Sequence, residues 1–152
     1  MINDRPTHLR VNLDAVLNNY RKLDKLNGLK TSLAVVKADS YGLGAKVIAD
    51  YLYKNGVRHF AVATLEEALE LKKYIKESLL LVLGVTNPKN VKYAVENNIS
   101  LTCPSKEWLV ETLKELDKID GKLKVHIKLE TGMNRIGISE TEELMKIHNL
   151  FY

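Results

Sequence analysis

Thiols are almost missing from this chain of 152 residues: Cys103 is its one cysteine. A single thiol excludes an internal disulfide and fits a reducing compartment. Cys103 ends an apolar stretch and precedes Pro104, with no activating neighbour, so it reads as a small strand-end residue. Long apolar runs are missing too. No segment approaches the ~20 residues of a membrane-spanning helix, and the opening MINDRPTHLR has no apolar core of signal-peptide length. The expectation is a cytoplasmic protein. Charge of one sign never collects: 23 Lys and Arg are interleaved with 19 Asp and Glu, for a net charge of +4. Such a pattern leaves neither a nucleic-acid footprint nor a membrane footprint. His8, His59, His126 and His148 stand at no ligand spacing, which argues against a metal site. Low-complexity segments and domain breaks are absent as well, leaving one domain across residues 1–152.

What the chain does have is alternation. Apolar residues make up 45% and charged residues 28%, as in ordinary globular domains. HLRVNLD, residues 8–14, alternates like a half-exposed strand, and Asp14 can cap a helix to about Leu26. Val16, Leu17, Tyr20, Leu23 and Leu26 would share that helix's apolar face, and Asn27-Gly28 would end it. From Thr31 onward, a strand pattern followed by a helix pattern occurs five times. Thr64 with Glu67, and Ser139 with Glu142, have the spacing of capping boxes. Ser105 would cap a helix whose Trp108 faces the core. Sustained β-α alternation means a parallel sheet, either doubly wound and open or closed as a (β/α)₈ barrel. A barrel needs eight units, and five are legible here. A dinucleotide-binding fold would want a third glycine after Gly42-Leu43-Gly44, and there is none.

Two stretches carry chemistry. The first is Thr31 to Gly44, TSLAVVKADSYGLG, in which Leu33-Ala34-Val35-Val36 reads as a strand buried on both faces. Lys37 follows directly, at the carboxyl end where α/β folds keep their active sites. Partial desolvation there lowers an amine's pKa and makes it a nucleophile able to form a Schiff base with an aldehyde. Taken alone, the lysine reads first as a strand end that carries its charge out to water. The second stretch is VHIKLETGMNRIG, residues 125–137. His126, Lys128 and Glu130 alternate with apolar residues and so share one side of a strand, while Arg135 offers a planar fork to an oxyanion. A solvated strand with a Thr-Gly turn is the plainer alternative.

Both stretches resemble the alanine racemases. VVKADSYGLG is similar to that family's lysine motif, V-K-A-[ND]-A-Y-G-H-G, with Ser40 in place of alanine and Leu43 in place of histidine. The second stretch resembles H-x-K-x-D-T-G-M-x-R-x-G, with Glu130 in place of aspartate. Milder likeness runs through residues 8–150. The resemblance implies the first part of a pyridoxal-phosphate-dependent barrel enzyme that interconverts L- and D-alanine, a step supplying peptidoglycan precursors. It implies that Lys37 holds the cofactor as a Schiff base and acts as one catalytic base. Tyr41 would bind the cofactor phosphate. Arg135 would sit by the phenolic oxygen and the substrate carboxylate, and Lys128 would be open to carbamylation. It further implies a homodimer, in which a partner-subunit tyrosine from a carboxyl-terminal β-domain serves as second base. The competing reading is a pyridoxal-phosphate-binding or scaffold protein without turnover.

Overall fold

The computed structural model describes residues 7–26, 28 and 31–150. Five parallel strands form one sheet: β1 (Ala34–Val35), β2 (His59–Val62), β3 (Leu79–Val82), β4 (Ser100–Cys103) and β5 (Lys124–Ile127). Their spatial order is the order of the chain, β1-β2-β3-β4-β5. A doubly wound sheet reverses its order at a switch point, so unbroken sequential order with right-handed crossovers is barrel winding. Five units of a (β/α)₈ barrel are present, as an arc.

Register decides what each strand residue faces. Ala34 pairs with Phe60 and Phe60 with Leu80; Val62, Val82, Leu101 and Val125 form the next row. These rows meet the helices α2 (Ala45–Lys54), α3 (Leu65–Lys72), α4 (Val91–Glu96) and α5 (Lys106–Leu116). Ile48, Ala49, Ala68, Leu71, Ala94 and Leu109 from those helices join the same core cluster. The intervening row, Val35, Ala61, Leu81, Ser100 and Lys124, faces the other way. Among the described residues no helix covers β1 on that side, and Val35 stays 50% exposed. The expectation of a first strand buried on both faces is therefore corrected: β1 is a two-residue edge strand with one covered face.

Helix starts follow hydrogen-bonding chemistry. Thr64 accepts from the Glu67 amide while the Glu67 carboxylate accepts from the Thr64 amide, so the capping box opens α3 as its spacing implied. Ser105 Oγ accepts from the Trp108 amide at 3.2 Å, and buried Trp108 donates its Nε1 hydrogen to the Thr86 carbonyl at 2.6 Å.

Four local expectations fail. Residues 7–12 form no strand, and α1 (Leu13–Leu26) begins one residue ahead of Asp14. Asn12 Oδ1 accepts from the Ala15 amide at 3.0 Å and takes the capping role assigned to Asp14. The packed face of α1 consists of Leu13, Val16, Leu17 and Tyr20, whereas Leu23 and Leu26 are 60% and 81% exposed. At the other end, α6 (Thr141–His148) starts after Glu140 with no side-chain cap, so the Ser139–Glu142 box is out of register. Glu143 instead accepts from the Lys106 amide at 2.9 Å, tying α6 to the start of α5. The predicted end of α1 at Asn27 lies outside the described residues.

Candidate active site at the carboxyl ends of the strands

Lys37 stands where β1 stops. The Val36 amide still donates to Ala61 in the sheet at 2.9 Å, and then the backbone reverses its hand. Lys37–Gly42 is a left-handed helical turn: Ala38, Asp39, Ser40 and Tyr41 have φ between 50 and 56°. Left-handed geometry brings Cβ against the next carbonyl oxygen, at roughly 1–2 kcal/mol per non-glycine residue. Specific bonds offset this. Ser40 N–H donates to the Val36 carbonyl at 3.2 Å and Gly44 N–H to the Asp39 carbonyl at 3.0 Å. Asp39 Oδ1 accepts from the Ala45 amide at 2.7 Å, and Glu67 Oε1 accepts from the Ala38 amide at 2.7 Å. Gly44, at φ 92°, delivers the chain into α2.

Ser40 is buried in this turn, and no group among the described residues bonds its hydroxyl. Leaving a buried hydroxyl unsatisfied costs about 1 kcal/mol or more. Ser40→Ala keeps Cβ and the backbone while removing that oxygen. It should raise the urea midpoint, by about 1 kcal/mol in stability; a fall would show that the hydroxyl is bonded in solution.

The TGMNR loop is built around a carboxylate. Glu130 Oε1 accepts from Gly132 N–H at 2.6 Å and Oε2 from Arg135 N–H at 3.3 Å. Backbone donors from Asn134, Gly132, Arg135 and Met133 outweigh its slight desolvation and hold the carboxyl at about 2, against an ordinary 4.5. The loop is clasped at its base, where Ile138 N–H donates to Lys128 and Glu130 N–H to Ile138, each at 2.9 Å. Glu130 thus serves its own loop, not the strand face it was expected to share with His126 and Lys128. Because the folded carboxyl titrates lower than the unfolded one, its stabilisation is complete above about 4.5 and fades as pH falls toward about 2. The protection factors of the Gly132 and Arg135 amides, taken against their intrinsic exchange rates, should fall across that window, and Glu130→Gln should flatten the dependence.

Lys37 and Arg135 line one cavity of about 240 Å³ with Leu81, Thr102, His126, Lys128 and Met133 among its walls. Its cationic members are Lys37, Lys128 and Arg135, and none of its lining residues is acidic. That is the donor set an anionic phosphate ester or a carboxylate requires. Lys128 Nζ donates to the Leu129 carbonyl at 2.5 Å. Tyr41 is not brought to this cavity; it is 75% exposed on the left-handed turn. Lys37 itself is only half-buried. The strongly desolvated lysine is Lys72, 8% exposed, whose Nζ donates to Ser78 and whose pKa is lowered by burial and by Lys124. Sequence reasoning gave no signal for it, since it sits among other lysines at the end of α3. Cys103 is fully buried, and burial pushes its thiol up to about 11, as suits an inert residue.

Residues 11–151 match the family model described as alanine racemase, N-terminal domain. The chain belongs to the alanine racemase family. An alanine racemase of Staphylococcus epidermidis is 44% identical over 147 residues, which are 96% of this chain and 38% of that protein. The chain therefore spans well under half the length of this relative. Among solved structures, the alanine racemase of Bartonella henselae with covalently bound pyridoxal phosphate superimposes with a TM-score of 0.81 at 31% identity. That match covers 91% of this chain and 40% of the other. A histidine racemase from Leuconostoc mesenteroides gives a TM-score of 0.84 at 31% identity, over 90% of this chain and 37% of that one. A fold shared with alanine racemases is thus joined to the two motifs that mark them.

Proposed function

We propose that this chain carries the cofactor-lysine portion of a pyridoxal-phosphate-dependent racemase that interconverts L- and D-alanine. The observation carrying the reading is one cavity lined both by the lysine that ends β1 and by the arginine of the TGMNR loop. Pyridoxal phosphate, when bound, supplies an electron sink that acidifies the α-carbon of an amino acid. Lys37 would hold it covalently and then accept or return a proton at one face. Arg135 would orient the phenolic oxygen and the substrate carboxylate. Lys128, as a carbamate, would present an anion to Arg135. Tyr41 would bind phosphate from the rim. A racemase needs a base on each face of the carbon, and the second would come from a partner subunit's tyrosine in a homodimeric, cytoplasmic enzyme. Among the described residues no helix is long and apolar enough to cross a membrane.

Alanine is favoured by the alanine racemase of Staphylococcus epidermidis, and the histidine racemase keeps a wider amino-acid range in view. The 152-residue chain should bind the cofactor weakly and racemise poorly or not at all. Incubation with pyridoxal 5′-phosphate, borohydride reduction and peptide mapping should put the label on Lys37. Any D-alanine, D-serine or D-histidine formed from the L-isomers would exclude a cofactor-binding protein without turnover. Label confined to other lysines would overturn the assignment.

A further inference from the structure

We propose that Glu67 is the positioning residue for Lys37, acting by clamping the backbone that follows it to the rim of the sheet. This rests on the reading of Lys37 as the cofactor lysine. Glu67 lies on α3, far along the chain from β1, yet its carboxylate reaches the residue immediately after the lysine. Oε1 accepts from Ala38 N–H at 2.7 Å. Oε2 accepts from Ala63 N–H at 2.7 Å and from Thr64 N–H at 3.3 Å. A helix cap needs only the last of these. The other two, the shorter ones, join the carboxyl end of β1 to the carboxyl end of β2.

The link runs on to β3. The Ala63 carbonyl accepts from Gly84 N–H at 3.0 Å, and a Cβ at Gly84 would lie 2.5 Å from that carbonyl oxygen. Three strand ends are thereby locked in one row, with the carboxylate at its centre. The row matters because Ala38 opens a run of four non-glycine left-handed residues, a conformation the turn would not keep unaided. Fixing the Ala38 amide fixes the peptide plane that follows Lys37, and so the direction in which the lysine's Cα–Cβ bond leaves the strand. A carboxylate suits the task chemically: it has two oxygens, both acceptors, and neither arm carries a hydrogen. A carboxamide has one acceptor and would turn N–H toward N–H on the other arm.

The test compares three forms of the 152-residue chain: the native sequence, Glu67→Gln and Thr64→Ala. Thr64→Ala removes the hydroxyl that caps α3 and leaves both bridging bonds in place. Each is treated with pyridoxal 5′-phosphate, followed by rate measurements of borohydride-trapped label at Lys37 and at exposed Lys54. Induced circular dichroism per bound cofactor is recorded in parallel. Glu67→Gln should slow Lys37 labelling on the order of tenfold while Lys54 is unaffected. It should also reduce the induced dichroism, and Thr64→Ala should do neither. Unchanged labelling in Glu67→Gln, or an equal loss in Thr64→Ala, would overturn the proposal by reducing Glu67 to an ordinary cap. Should the native chain fail to label Lys37, the functional reading falls, and amide exchange at Ala38 and Gly44 decides the clamp. Faster exchange in Glu67→Gln than in Thr64→Ala supports it; equal exchange overturns it.

Discussion

Lys37→Ala should reduce trapping of pyridoxal 5′-phosphate to the background of exposed surface lysines, a loss on the order of a hundredfold or more at that peptide. Many lysines of this chain are exposed, and any of them can condense slowly with an aldehyde. Lys37 differs in lining a cavity whose other cations, Lys128 and Arg135, would hold an anionic ligand against it. That converts a bimolecular encounter into a reaction within a bound complex. Lys37→Arg is the sharper variant, since it keeps the charge and most of the length but removes the nucleophile. It should retain weak, reversible binding of the cofactor and lose the covalent label entirely. Equal labelling of native chain and Lys37→Ala by peptide mapping would show that the cavity confers no advantage.

Phe60→Ala should lower stability by about 3–5 kcal/mol, read from the urea midpoint at constant slope. Phe60 is fully buried on β2, where its row runs from Ala34 on one side to Leu80 on the other. Truncation leaves a hole between the sheet and its helices that packed neighbours cannot fill. For a domain whose whole stability is about 5–15 kcal/mol, that is a large share. Val35→Ala removes apolar atoms one register step away, on the open face, where the side chain is 50% exposed. It should cost well under about 1 kcal/mol. Similar losses in the two variants would mean that the open face is covered in solution.

The architecture was legible because two periodicities alternate cleanly along the chain, and because Thr64-x-x-Glu67 and Ser105 are strong local signals that tertiary contacts do not oppose. Where contacts do oppose them, local signals mislead. Ser139-x-x-Glu142 has the right letters, but α6 begins at Thr141 and it is Glu143 that finds a donor, on α5. HLRVNLD alternates like a strand, yet an isolated strand with no neighbour to pair with has little to hold it. Both chemical stretches were visible as motifs. The resemblance placed them on one cofactor, and the register across five strands brings Lys37 and Arg135 to one cavity. Handedness was hidden: nothing in Ala38-Asp39-Ser40-Tyr41 announces positive φ, since alanine, serine and tyrosine all disfavour it.

That concealed handedness has a consequence for where the geometry of Lys37 comes from. A synthetic peptide covering residues 31–44 alone should relax to right-handed or extended forms, since its mirror-image coil would have lost the carboxylate on the third helix. The posture of Lys37 would thus be borrowed from a distant part of the sequence, and any event that undocks that helix would release it without touching the side chain.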